Sequence, residues 1–262
     1  MEVPRFGAEA GSTPDLTSPG TLTVCALGAT PYREGIALQD ALVAACASGK
    51  TGDWLLYPDH PPVLTVGRNA SADGVRADAA TLASRGIEVF EVPRGGDVTW
   101  HGPGQLVGYP IVSLDRVDRD LHRWLRVLEG ALIRALARHG IVSERSAGRT
   151  GVWVGERKIA SIGVAVRRWV GYHGFALNVR PDLSDFSLIH PCGLKGVRMT
   201  SMAAELGSGA PPLEVVREDV TQELSILLAY ERVVSAPAEE ARSWIKRDRP
   251  AAETATGTAS RT

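Results

Sequence analysis

A chain of 262 residues is long enough for one large domain or two small ones with an ample core, and its 44% apolar and 23% charged residues are those of a soluble globular protein. A formal net charge of −1 argues against a whole-protein basic field for nucleic acid or an anionic membrane, while leaving room for a local basic patch that receives an acidic protein partner. Three cysteines (Cys25, Cys46 and Cys192), with no CxxC pair and no Cys/His ligand spacing, argue against a disulfide framework and a structural zinc site and fit a reducing cytoplasm.

Residues 1–20 carry Glu, Asp, Pro and Gly without an apolar core, which predicts a disordered lead-in rather than a signal peptide. No run of about eighteen apolar residues predicts a transmembrane helix. Residues 21–28 (TLTVCALG) read as a first strand, with Cys25 in core or edge packing. A helix is predicted over 32–48 from the spacing of Ile36, Leu38, Leu42, Val43 and Cys46, and Cys46 on that face is a small core hydrophobe. Short strands over 53–57 and 63–67 flank Pro58-Asp59-His60-Pro61-Pro62, a rigid connection in which His60 is either a solvated turn residue or a pocket residue. A short helix over 78–84 is stopped by Gly86, and a strand over 87–92 follows.

The next stretch, Arg94-Gly95-Gly96-Asp97-Val98-Thr99-Trp100-His101-Gly102-Pro103-Gly104-Gln105, holds four glycines in twelve positions between two strand-like runs. Glycine permits close backbone approach to a ligand, so a loop of this composition carrying one cation and one imidazole reads as a pocket wall. An arginine entering such a loop has little to pack against, but it can orient the loop or a bound polar group. An apolar strand is predicted over 106–114. The longest helix follows over 121–139 on the stripe Leu121, Trp124, Leu125, Leu128, Leu132, Ile133 and Leu136, with His122 and His139 structural or solvated at its ends. Strands over 150–154 and 158–166 form a hairpin around Gly155-Glu156-Arg157, another strand covers 172–179, and 181–189 is irregular. Residues 197–206 and 213–230 read as helices. Beyond about Ser235 the Ala, Glu, Arg and Thr composition predicts a disordered tail. The pattern is α/β or α+β, organised as a disordered segment 1–20, one domain over 21–234 and a disordered tail 235–262.

Two residues stand apart chemically. Cys192 lies between Pro191 and Gly193 on a connection, where a thiol beside backbone N–H groups suits a nucleophile. The alternative is a buried loop cysteine. Lys158 opens the apolar strand KIASIGVAV, either exposed at the hairpin end or pointing into a pocket, where its charge would lower a neighbouring thiol below the free value of about 8.5.

RGGDVTWHGPGQLVGYP, GERKIASIGV, GYHGFALNV and HPCGL, in this order and spacing, resemble the lipoyl(octanoyl) transferase family over about residues 21–230. The resemblance implies a fold of the biotin/lipoate-protein ligase type, a mixed β-sheet flanked by helices. It implies transfer of octanoyl from octanoyl-acyl carrier protein to a lysine ε-amine on lipoyl domains of 2-oxoacid dehydrogenase complexes and the glycine cleavage H protein. The enzyme would be cytoplasmic, with no cofactor, metal, nucleic acid or membrane involved. By motif position, Cys192 would form the acyl-thioester and Lys158 would be its partner in lowering its pKa and shuttling protons. Arg94, Gly95, Gly96, Asp97, Val98, Thr99, Trp100 and His101, then Ser161, Ile162 and Gly163, then Gly174, Phe175 and Ala176 would bind the acyl group. His60, His101 and His173 would support the same pocket. Trp100 stands where tyrosine is also common in the family, and the long C-terminal tail departs from it. Two other readings compete: an ATP-dependent lipoate or biotin ligase on the same fold, which has no need of Cys192 and whose Gly-Arg-Gly-Arg-Arg-Gly loop is absent, and a non-catalytic carrier-binding paralogue, against which Cys192 and Lys158 weigh.

Overall fold

The computed structural model describes residues 5–6, 20–71, 73–190 and 197–248. The first part of the chain contributes β1 (Arg5–Phe6), β2 (Thr21–Ala29), α1 (Tyr32–Ala47), β3 (Asp53–Asp59), β4 (Val63–Val66), α2 (Ala79–Ser84), β5 (Glu88–Glu91), β6 (Val98–His101) and β7 (Gln105–Ser113). The rest contributes α3 (Leu121–Arg138), β8 (Glu144–Ser146), β9 (Arg149–Val154), β10 (Arg157–Arg167), β11 (Val170–Asn178), β12 (Arg198–Met199), α4 (Met202–Leu206), α5 (Leu213–Leu227), β13 (Arg232–Ser235) and α6 (Ala238–Asp248).

One mixed sheet runs in the order β1-β13-β2-β3-β7-β11-β10-β9-β8, with β12 paired to β10, and β5-β4-β6 make a second, small sheet. Strands apolar at every position must have both faces covered. In β3, Trp54, Leu55, Leu56 and Tyr57 are all buried. The two-residue period sends Leu55 and Tyr57 to the face covered by α3 and α5, and Trp54 and Leu56 to the face covered by α1 and α6. β7 divides likewise, Leu106 and Val112 against Val107, Tyr109 and Ile111. The large sheet is therefore the middle of three layers, in agreement with the expected mixed sheet flanked by helices. The stripe of α3 buries Trp124, Leu128, Leu132 and Leu136, and Asp120 caps its start by accepting from the N–H groups of His122 and Arg123.

Four expectations about the fold need correction. The Gly-rich stretch is a strand over Val98–His101, because β4 lies alongside to pair with it. Residues 197–206 are not one helix: β12 adds to the edge of β10 before α4 begins at Met202, capped by Ser201, whose hydroxyl accepts from Ala204 N–H. Within the segment expected to be a disordered lead-in, Arg5–Phe6 pairs parallel with Arg232–Val233. Nor does a disordered tail begin at Ser235, since α6 docks on α1 and the sheet with Ala241 fully buried and Trp244 nearly so. Its composition hides this because only Ala241, Trp244 and Ile245, at i, i+3 and i+4, need be apolar to make one docking face. No helix among the described residues is long and apolar enough to cross a membrane.

Candidate active site

A cavity of ≈ 320 Å³ lies between the Gly-rich segment and strands β10 and β11. Arg94, Gly96, Asp97, Val98, Thr99 and His101 line one side; Lys158, Ser161, Ile162 and Gly163 line it from β10, and His173, Gly174, Phe175 and Ala176 from β11. Tyr32, Asn69, Tyr109, Gly148 and the first residues of β9, Arg149 and Thr150, also line it, and the sequence reading singled out none of these. Tyr109 sits inside a motif quoted above; Tyr32 carried no local signal. Gly95 and Trp100 are off the lining. Gly95 N–H donates to Val164 C=O at 2.9 Å, and the indole of Trp100 is buried in an apolar cluster with its ring edge-on to Phe186. A side chain at Gly163 would put its Cβ 2.9 Å from Arg94 Cδ and from Gly95 O, so β10 admits the loop only because this residue is glycine.

Arg94 corrects the expectation that it has little to pack against. It is buried, and its guanidinium donates to Thr65 C=O and Thr65 Oγ1, both at 2.8 Å, and to Gly95 C=O at 3.1 Å. It therefore staples the loop to β4, and the orienting part of the expectation stands.

The cavity floor is a deliberate gap in the sheet. Pairing between β7 and β11 lapses between Gly171↔Val112 and Phe175↔Gly108. Pro110 falls in that gap and has no N–H to give. Opposite it His173 takes the left-handed conformation, φ 56°, and donates its backbone N–H to Gln39 Oε1 of α1 at 2.8 Å. A non-glycine residue held there stores strain of a kind that collects at functional sites.

Burial disfavours the charged form of the three histidines around the cavity. Burial lowers His60 to about 4 and His173 to about 4, the latter helped by the Arg94 charge. Burial lowers His101 to about 3, with His60 and Arg94 adding to it. The structure decides the open question on His60: it is buried, not a solvated turn residue. Its Nδ1–H must donate to Thr30 C=O (2.7 Å), because a carbonyl only accepts, which leaves Nε2 to accept the Tyr109 hydroxyl at 2.8 Å. His60 thus fixes Tyr109 in the cavity wall without lining it.

Lys158 is 2% exposed, so the exposed-hairpin-end reading is excluded. Its Nζ stands 5.5 Å from the centre of the Trp153 ring, and its backbone is flanked by Trp153 on β9 and Met199 on β12. Gly151 makes the space: a Cβ there would lie 2.6 Å from Lys158 Cε. Cys25 and Cys46 are away from the cavity. Burial pushes their thiols up to about 11 and about 12, and Asp53, whose carboxylate accepts from the Cys46 thiol at 3.7 Å, raises the second further. Both are poor nucleophiles near neutral pH. Cys192 lies outside the described residues.

The catalytic-domain model of lipoyl protein ligases A and B matches residues 31–225. An octanoyltransferase of Geobacter sulfurreducens is 51% identical over 181 residues, covering 69% of this chain and 74% of the relative. One of Chloroflexus aurantiacus is 47% identical over 221 residues, covering 83% and 99%. Among solved structures, lipoate-protein ligase A bound with ATP superposes with a TM-score of 0.71 at 18% identity, covering 86% of this chain and 92% of that one; at this identity the likeness is one of fold.

Proposed function

The chain belongs to the lipoyl protein ligase A/B catalytic family and is an acyltransferase that carries octanoyl in protein lipoylation, and we propose that it does so in two steps through a thioester on Cys192. In the first, the Cys192 thiolate attacks the thioester carbonyl of octanoyl-acyl carrier protein; the new C–S bond forms as the carrier's C–S bond breaks, and the carrier thiol leaves with a proton from Lys158. In the second, the ε-amine of a lysine on a lipoyl domain attacks the acyl-cysteine. The amide forms, Cys192 departs as thiolate, and the surplus amine proton returns to Lys158. Thioester to thioester to amide runs downhill, so the transfer needs no nucleotide. Arg94, Gly96 through Thr99 and His101, with Ser161–Gly163 and Gly174–Ala176, would hold the acyl chain. The lipoyl domains of 2-oxoacid dehydrogenase complexes and the glycine cleavage H protein are the proposed acceptors, in the cytoplasm.

The observation that carries this reading is Lys158, a lysine buried in the cavity wall, on the strand that pairs with the one following Cys192 in the chain. A cation in that position favours a thiolate nearby and can hold and return a proton. The test is the intact mass of the protein after mixing with octanoyl-acyl carrier protein without ATP. The native protein gains one octanoyl group, and Cys192→Ala gains none. An unchanged native mass, or an adduct retained in Cys192→Ala, overturns the thioester mechanism.

A further inference from the structure

A chain of buried amides runs from the Gly-rich wall to the backbone of Lys158. His101 Nδ1 meets Gln105 Oε1 at 3.1 Å. Gln105 Nε2 donates to Trp100 C=O at 3.1 Å and to Asn178 Oδ1 at 3.0 Å. Asn178 Nδ2 donates to Thr200 C=O at 3.0 Å, and Thr200 N–H donates to Lys158 C=O at 2.9 Å. All four polar residues, His101, Gln105, Asn178 and Thr200, are buried.

The direction of every bond is over-determined. A backbone carbonyl only accepts, so Thr200 fixes which end of Asn178 is the NH₂ and leaves Oδ1 facing Gln105. The Trp100 carbonyl and Asn178 Oδ1 are both acceptors, so the NH₂ of Gln105 must face them and its Oε1 must face His101. Flipping Gln105 would set oxygen against oxygen in two contacts, and flipping Asn178 would set oxygen against oxygen at Thr200 and NH₂ against NH₂ at Gln105, inside the protein, where an unmade hydrogen bond costs about 1–3 kcal/mol. His101 Nδ1 must therefore carry the proton. In the neutral imidazole that burial favours, its other nitrogen, Nε2, is then a lone pair on a residue that lines the cavity.

We infer that Gln105 and Asn178 are positioning residues which lock His101 in its Nδ1–H tautomer, so that the cavity wall offers a hydrogen-bond acceptor reserved for a substrate group that carries hydrogen. This rests on the acyl-transfer reading for the identity of that group: the attacking amine, whose N–H the lone pair orients toward the acyl carbon. A free carboxylate, rich in lone pairs, is disfavoured at the same spot. The same amide chain ends on the Lys158 carbonyl, so one network sets both the imidazole and the strand that bears the lysine.

The test needs no substrate. Full-length protein carrying ¹⁵N-labelled histidine is examined by NMR near neutral pH, with the His101 signals assigned by their loss in His101→Gln. The expected spectrum has a pyrrole-type Nδ1 and a pyridine-type Nε2. Asn178→Leu and Gln105→Met, checked for folding by melting, shift His101 toward the other tautomer and slow octanoyl transfer from the acyl-enzyme to a lipoyl domain about tenfold, the worth of one hydrogen bond. A native His101 that is Nε2–H or doubly protonated overturns the inference even if both variants fail to fold. An unchanged tautomer in the folded variants overturns it too. Because acyl-enzyme formation is read separately by mass, failure of the tautomer lock and failure of the thioester mechanism give different results.

Discussion

The side-chain carbonyl of Gln39 accepts the backbone N–H of His173 at 2.8 Å, across 134 positions of sequence, where β11 leaves its ladder with β7. Helix α1 thereby completes the floor of a cavity built by other elements. Gln39→Leu leaves that N–H buried without an acceptor and is expected to cost about 1–3 kcal/mol. It also frees His173 from its left-handed conformation and so lowers octanoyl transfer, whereas Gln39→Glu keeps an acceptor and retains more of both. Urea unfolding and transfer rates on the three proteins check this; a Leu variant equal to native in both shows that the bond holds nothing.

The buried histidines make folding stability depend on pH. Their folded values, about 4 for His60 and His173 and about 3 for His101, lie below the ordinary 6.5 of the unfolded chain. Between pH 6.5 and 4 the unfolded state binds more protons, so stability is complete above about pH 6.5 and falls as the solution is acidified toward the folded values. The slope of unfolding free energy against pH should approach three protons near pH 5, each worth about 1.36 kcal/mol per pH unit. A flat profile between pH 7 and pH 5 would show that the histidines titrate in the fold as they do in the unfolded chain.

Alkylation separates the cysteines. With Cys25 and Cys46 buried and their thiols raised, iodoacetamide near neutral pH should label Cys192 in the native protein and spare the other two. Lys158→Ala should move the midpoint of Cys192 labelling to higher pH and slow acyl-enzyme formation. Lys158→Arg should keep the charge effect but lose proton transfer. Identical labelling profiles in native and Lys158→Ala protein remove the lysine from its proposed role.

Gly151→Ala tests the seat of the same lysine. The added methyl would stand 2.6 Å from Lys158 Cε, at a residue whose φ of +125° already disfavours a side chain. Transfer should fall by tenfold or more, with destabilisation of about 1–3 kcal/mol. Full activity in the variant would mean that Lys158 has room to spare.

Truncation after residue 234 removes α6 and with it Ala241 and Trp244 from the core, and Trp244→Ala alone is expected to cost about 3 kcal/mol. Denaturant midpoints measure both. Truncation after residue 248 keeps the helix and, if the remaining residues add nothing to the core, leaves the midpoint unchanged.

The sequence by itself determined the elements whose signal is carried within one or two turns of chain. The stripes of α1, α3 and α5 and the apolar runs of β3, β7, β10 and β11 need only their own periodicity to be read. Contiguous motifs likewise marked Lys158 and most of the cavity lining. Only the tertiary structure decided the rest. Val98–His101 is a strand because β4 is there to pair with it, and α6 is a helix because the sheet and α1 cover its narrow apolar face. His60 is buried because Thr30 and Tyr109 close around its two nitrogens. Gln39, Gln105 and Asn178 look like ordinary polar residues in their own segments. Their roles come from partners as far as 134 positions away, and a hydrogen bond between distant segments leaves no periodic trace in either of them.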